Sequence, residues 1–386
     1  MRENEIEIRT RPVEKILEGL PPQIRRVLVI RSVPEKLFNR CIEKMRGWNP
    51  GLELTVLCHR GGEVAGCKSV VYPGEGFFRL ENLDIDLLRK AGFDLVVLPY
   101  ATNRRLSPYY QNVDRIALAA ASGRILFIYK DFTAYLADDE FMRLKRREVV
   151  EPYLRRKKEA IGEICEFTGE EPSVVEEKCD MAGIEATRLW VKRNPRTAAQ
   201  VRKFYSDHDF YIYELMKTLY NGDRDELVEA VLAECAPGES VLDYGAGCGI
   251  FSVALAQKEA VVTHLDLPGP LLEFAAFRFR RRKLPVTVIP AQSETPLKES
   301  YDAIVSIFVV EHLVDPEGAL RHMAEHIKPA GKLILAVDFE QERASDEPLP
   351  LHVSRLGRKH YYDFMAGLGL ETVGSRGEVD VFQFSK

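Results

Sequence analysis

Three glycines, each two residues apart, follow an aspartate at the end of an apolar run in VLDYGAGCG, residues 241–249: Asp243, then Gly245, Gly247 and Gly249, with Ala246 between the first two. A strand that ends in a carboxylate and turns through GxGxG into a helix brings bare backbone to a ligand where any Cβ would collide. The next helix, expected from Ile250 to Gln257, aims the positive end of its dipole at the same place. A second apolar run, VVTHLDLP, ends in Asp266, placed to accept both hydroxyls of a ribose. Ile250 stands where the GxGxxG of nicotinamide enzymes has its third glycine, so the pattern fits a nucleoside carrying an amino acid. Farther on, YDAIVSIFVVEHLVDP delivers Phe308, Glu311 and His312 to a strand end, and EPLPLHVSRL carries His352. An imidazole suits proton transfer near neutrality, which a hydroxyl acceptor would need. The competing reading makes Glu311 a helix cap, His312 a packed orienting group and His352 a solvated loop residue. Cys248 has no basic neighbour in sequence and reads as a packed small residue.

These residues need a scaffold. From Ser240 onward, strand-like runs (SVLDYG, AVVTHLDL, PVTVIPA, YDAIVSIF, GKLILAVDF, LETVGS, VDVFQF) alternate with helical stretches, and only a short RGE turn parts the last two. The expectation is an α/β domain over 238–386 with seven strands ending in an antiparallel hairpin. Residues 24–136 show a second alternation of about five strands, a separate Rossmann-like domain behind an N-terminal segment, 1–23. Its first turn, RSVPEKL, lacks the glycines of a phosphate-binding loop. Residues 137–237 are charged with helical spacing and read as a helical connector or cap. The basic runs at 143–158 and FRFRRRK (277–283) read as solvated helix faces.

The 386 residues and 46% apolar content suit a two-domain globular protein. No apolar run approaches the roughly 20 residues of a membrane span, and the charged start MRENEIEIRTRPVEK is unlike a signal peptide. Seven cysteines without a CxxC pair suit reduced thiols, hence a cytoplasmic location with no metal site. The net charge of −5 is concentrated in the C-terminal third, which argues against nucleic acid as a partner.

Residues 239–386 resemble class I S-adenosylmethionine-dependent methyltransferases, in particular the ubiquinone/menaquinone-type and other small-molecule enzymes. VLDYGAGCG resembles the first motif of that family, HLDLPGPLLEFA its second, AQSETPL its third, YDAIVSIFVVEHLVDP its fourth and HIKPAGKLILAV its fifth. The resemblance implies a seven-stranded Rossmann-like fold with S-adenosyl-L-methionine as cofactor. Gly245 and Gly247 would lie under its methionine portion, Asp243 near its amino group, Asp266 on the ribose and Leu267 on the adenine. Gln292, beside Ser293, stands where many relatives have an aspartate for the adenine amino group. The resemblance also places the Glu311–His312 pair at the reaction pocket, with His352 on a substrate-facing loop. The segment KFYSDHDFYIYELMKTLY would fold over the cofactor as a lid lined by Tyr205, Tyr211 and Tyr213, residues that at helical spacing also suit a core.

The N-terminal stretches VLVIRSVPEK, LELTVLCHRGG and AGFDLVVLPY faintly resemble heptosyltransferase-type glycosyltransferases but lack the glycine-aspartate after the first strand. A sugar- or partner-recognising module, or a homodimerisation surface, is the expectation. Three functions stay open: methylation of a small molecule, lipid or saccharide precursor; a scaffold that senses the cofactor without turnover; and an RNA methyltransferase using the basic connector.

Overall fold

A computed structural model describes residues 10–74, 78–101, 112–137, 139–339, 351–354 and 356–385, so residues 1–9 of the N-terminal segment lie outside the described residues. The chain divides into two compact units, Met1–Arg155 and Arg156–Lys386.

The first unit contains strands β1 (Arg11–Pro12), β2 (Arg26–Ile30), β3 (Glu53–Cys58), β4 (Lys68–Val71), β5 (Leu95–Pro99), β6 (Arg124–Ile128) and β7 (Thr133–Ala137). They form one sheet in the order β1-β7-β6-β5-β2-β3-β4. The five central strands are parallel and the β7 and β1 edge is antiparallel. The sequence pattern shows all five parallel strands: β2, β3, β5 and β6 as apolar runs written by burial on both faces, and β4 as a short, largely exposed edge strand. It misses β1, only two residues long, and β7, whose TAYLA is too short and mixed to stand out. Helices α1 (Val13–Glu18), α2 (Glu35–Trp48), α3 (Ile85–Lys90), α4 (Asn112–Ala120) and α5 (Asp139–Lys145) accompany the sheet.

In the second unit, β8 (Ser240–Tyr244), β9 (Val261–Asp266), β10 (Thr287–Pro290), β11 (Tyr301–Ile307), β12 (Ile327–Ala336), β13 (Leu370–Arg376) and β14 (Val379–Phe384) form a sheet in the order β10-β9-β8-β11-β12-β14-β13. The first five are parallel, and β14 runs antiparallel to both β12 and β13, closing the sheet with the expected hairpin. Strand order reverses between β8 and β11, which opens a crevice at their C-terminal ends, where open α/β sheets bind ligands.

The stretch expected as one connector, 137–237, is divided between the two units. It contains α5, α6 (Glu151–Thr168), α7 (Pro172–Arg193), α8 (Ala198–Asp207), α9 (Phe210–Asn221) and α10 (Asp225–Glu234). The segment read as one lid helix is two, α8 and α9, broken at His208, and α8 starts with a capping box of Thr197 and Gln200. Trp190 of α7, Phe204 of α8 and Phe210 of α9 share an apolar cluster. The remaining helices are α11 (Ile250–Gln257), α12 (Pro270–Arg282), α13 (Pro316–Glu325) and α14 (Arg358–Gly367).

The reading of FRFRRRK as a solvated face is corrected at Arg278, only 2% exposed. Its Nε donates to Glu163 of α6 at 3.0 Å, and its Nη1 donates to the carbonyl of Cys248. Glu163, itself 1% exposed, also takes Arg281 at 3.2 Å and pairs with Arg282. Sequence patterning could not show this, because the carboxylate comes from 115 residues away. Removing one partner of a buried pair strands the other charge, so Glu163→Ala should lower stability by about 3 kcal/mol in denaturant titrations. The exposed pair Lys359–Asp363 serves as the near-neutral control.

Candidate functional site

The loop from β8 to α11 turns through Gly245, Gly247 and Gly249, with φ of 68°, 58° and 76°. That left-handed region is open to glycine and strained for other residues. A Cβ on Gly245 would meet Val309 at 2.6 Å, one on Gly247 would meet Leu215 at 2.6 Å, and one on Gly249 would meet the Phe279 ring at 2.7 Å. The loop is therefore seated under α9, the β11 end and α12. The Gly247 N–H donates to Asp266 Oδ2 at 2.6 Å, and the Leu267 N–H donates to Oδ1 at 2.7 Å. Burial nevertheless pushes the Asp266 carboxyl up to about 6, with those two N–H groups opposing the shift. Asp243, 2% exposed, accepts from Ser252 Oγ at 2.6 Å, and burial raises its carboxyl to about 7.

A cavity of about 190 Å³ opens at the β8–β11 switch point. Of the residues expected at the site, Asp243, Gly245, Ala246, Gly247, Asp266, Leu267, Ser293, Phe308, His312, Tyr205 and Tyr211 line it. Gly249, Gln292, Glu311, His352 and Tyr213 are not among its lining residues. Gly249 starts α11 against Phe279, and Gln292 is exposed. Tyr213 is 2% exposed, with its hydroxyl on Glu170 at 2.9 Å and on Lys178 at 3.0 Å, so it is packed between α7 and α9. The sequence reading missed Arg202, Leu215 and Arg224, which also line the cavity. The Arg224 guanidinium lies over the Phe308 ring at 4.5 Å, and burial lowers its pKa against the attraction of Glu311. Nothing in the local sequence of Arg224 marks it, since its place is set by how α10 packs.

Phe308 itself has a φ of 56°, a strained value for an aromatic residue, held by its N–H on the Ala336 carbonyl at 2.8 Å. His312 Nδ1 lies 3.0 Å from the Leu351 carbonyl and 3.1 Å from the Tyr205 hydroxyl. Burial pushes its pKa down to about 4, with His352 and Arg224 adding to the shift. The ring is therefore neutral at pH 7, and with Nδ1–H on the carbonyl its Nε2 is an acceptor. A base that weak takes a proton only from an already acidic group or one losing it in the transition state. Glu311, 3% exposed, accepts the Val353 and Ser354 N–H groups on its backbone carbonyl, which ties the β11 end to the loop carrying His352. The ligand atoms of Glu311, His312 and His352 lie within 4.8 Å of one another, a two-histidine, one-carboxylate set with the donor chemistry for a divalent ion. Cys248 is fully buried and its thiol pKa is raised by that burial, so it is packed.

The sheet and loop define a Rossmann-like methyltransferase architecture. Residues 216–371 match the family described as "Methyltransferase domain". The chain is 33% identical over 110 residues to a ubiquinone biosynthesis O-methyltransferase of Proteus mirabilis, covering 28% of this chain and 45% of that one. It is 31% identical over 166 residues to a protein of the same name from Xanthomonas axonopodis pv. citri, covering 38% of this chain and 70% of that one. The chain belongs to this methyltransferase family. It spans about half the length of the first curated relatives it matches, 45% and 43% for two of them. A crystal structure of a SAM-dependent methyltransferase from Aquifex aeolicus is similar at 22% identity and a TM-score of 0.35, over 42% of this chain and 90% of that one.

Because Gly249 lies outside the cavity lining, its substitution isolates the packing role of the loop. Gly249→Ala combines a strained φ with a collision on Phe279 and should cost about 2 kcal/mol in urea or guanidinium unfolding.

Proposed function

We propose that this protein is an S-adenosylmethionine-dependent methyltransferase acting on a small molecule, a lipid or a saccharide precursor. The observation that carries this reading is the Asp266 carboxylate, clamped by the Gly247 and Leu267 N–H groups at the cavity wall. Each of its oxygens accepts one N–H and keeps lone-pair capacity for a vicinal diol. The other lining groups fit the same ligand: Asp243 for an ammonium, Arg224 for a carboxylate, and Leu267 with Ala291 for the adenine face. When bound, S-adenosylmethionine would supply an electrophilic methyl group on a sulfonium. Tyr205 and Tyr211 wall the cavity and exclude water from it. His312 Nε2 is the acceptor for a proton leaving the nucleophile, and the names of the curated relatives favour a hydroxyl as that nucleophile. The weak basicity of His312 favours the second reading, a protein that binds the cofactor without turnover.

The seven free cysteines support a reducing, cytoplasmic compartment. Among the described residues no helix is long and apolar enough to cross a membrane. We assign the first unit, Met1–Arg155, to recognition of the acceptor or to homodimerisation.

Calorimetric titration with S-adenosylmethionine and S-adenosylhomocysteine tests the cofactor. Micromolar binding that Asp266→Ala abolishes is expected; a folded protein that binds neither ligand would overturn the proposal. Arg224→Met should weaken S-adenosylhomocysteine binding about tenfold or more and leave 5′-methylthioadenosine, which has no carboxylate, unaffected. Equal losses for both would remove Arg224 from that role. Transfer of labelled methyl to a screened acceptor separates the enzyme from the sensor.

The carboxyl pKa values of about 7 for Asp243 and about 6 for Asp266 set a pH dependence. A cationic ligand and ribose hydroxyls select the ionised forms, so affinity is full above about pH 8. It then falls as pH drops through 7 and 6, by up to tenfold per unit for each carboxylate that takes up a proton. Asp266→Asn should flatten the lower part of that profile.

A further inference from the structure

Behind the glycine loop, three polar side chains from three different elements meet without solvent. Asp243 of β8 and His264 of β9 are register partners in the sheet, and Ser252 of α11 lies over both. Ser252 Oγ is 2.6 Å from Asp243 Oδ2 and 2.9 Å from His264 Nδ1. Ser252 and His264 are 0% exposed and Asp243 is 2% exposed. His264 Nε2 has no hydrogen-bond partner among the described residues, and its ring meets the Phe279 ring edge-on with centroids 5.1 Å apart.

Counting protons leaves two directions for this chain, set by the charge on Asp243. Burial drives the His264 pKa down to about 3, so the ring is neutral and carries one N–H. A serine hydroxyl carries one hydrogen, which it can donate once. If Asp243 is ionised it can only accept. Ser252 must then point its hydrogen at Asp243, and its oxygen can only accept from His264 Nδ1–H. The atom left over is the bare Nε2 lone pair, which has no hydrogen-bond partner among the described residues. In the reverse arrangement Asp243 carries a proton, Ser252 donates to His264 Nδ1, and a buried Nε2–H is left without an acceptor. The first arrangement runs every donor toward the carboxylate, and such chains strengthen one another.

We propose that His264, acting through Ser252, is a positioning residue: its Nδ1–H fixes the Ser252 hydroxyl on Asp243 and so holds Asp243 ionised as the acceptor for the cationic end of the ligand. The use of Asp243 toward that ligand rests on the cofactor reading above, whereas the direction of the chain does not. Other charged groups near the three residues are Asp266 on β9, which opposes ionisation of Asp243, and Arg278 on α12 with its partner Glu163 on α6. The nearby Cys248 thiol is held neutral by burial.

The test uses the full chain with ¹⁵N-labelled histidine, at about pH 8.5 and free of ligand, with His264→Asn to assign the resonance. Long-range nitrogen–proton correlations should show His264 as the Nδ1–H tautomer, opposite to the usual preference of a free imidazole. An Nε2–H tautomer would overturn the proposal. In parallel, the acid-side midpoint of S-adenosylhomocysteine affinity should rise by about one pH unit in His264→Leu, because the carboxylate loses the donor behind its serine. His264→Asn, which keeps a side-chain N–H near the Nδ1 position, should return the midpoint toward wild type, a rescue that a purely packing role would not produce. Thermal unfolding checks that both variants fold. An unmoved midpoint in a folded His264→Leu protein that still binds also overturns the proposal. Wild-type protein that binds no ligand at any pH defeats the cofactor reading, and the tautomer then decides the direction of the chain by itself.

Discussion

The guanidinium of Arg278 has to be neutralised inside the protein, and much of the second unit is arranged around that requirement. An unpaired charge in such a place would cost several kcal/mol. Glu163 supplies the counter-charge, and the other end of Arg278 reaches the Cys248 carbonyl in the middle of the glycine loop. The side chain thus ties α6, α12 and the β8–α11 turn together. A methyltransferase fold beginning at Ser240 would contain Arg278 without Glu163, and both partners lie within the compact unit Arg156–Lys386.

What the sequence shows and what it hides divides along the same physical line. The glycine loop is legible because left-handed φ values combined with neighbours that a Cβ would strike favour glycine at three alternate positions. The central strands β8 and β11 are legible because two-sided burial writes continuous apolar runs, and Asp266 because a parallel strand delivers its last residue to the switch point. Arg224, Arg202 and the Glu163–Arg278 pair are illegible because each depends on helix packing at long range, and a charged residue on a helix, or in the turn before α10 where Arg224 lies, looks the same whether it faces water or a cavity. Tyr205, Tyr211 and Tyr213 show the limit within one segment. The break at His208 and the packing of α9 against α7 send Tyr213 to Lys178 and Glu170, while the other two reach the cavity.

The end of β11 shows how the sheet supports conformations that a loop could not hold. Phe308 adopts a φ of 56° immediately after the strand, and its N–H stays on the β12 backbone. One residue before it the chain is fixed by the β11–β12 ladder, and three residues after it by Glu311, whose carbonyl takes two N–H groups of the following loop. The strain is therefore localised at the residue that faces Arg224 and the cavity, where it aims the aromatic ring instead of distorting the strand.

The two carboxylates beside the cavity share a cost that bears on how the site works. Asp243 and Asp266 are both raised by burial, and Asp266 raises Asp243 further by its own charge. The Gly247 and Leu267 N–H groups and the hydroxyl of Ser252 offset part of this, yet not enough to restore ordinary carboxylate values. A neutral ligand would leave that deficit in place. A ligand carrying positive charge near Asp243 and hydroxyls near Asp266 would relieve it at both positions, so part of the binding free energy comes from removing repulsion already built into the free protein. On the proposed reading this makes the site selective for a cationic nucleoside over a neutral one of the same shape, through groups held in place before the ligand arrives.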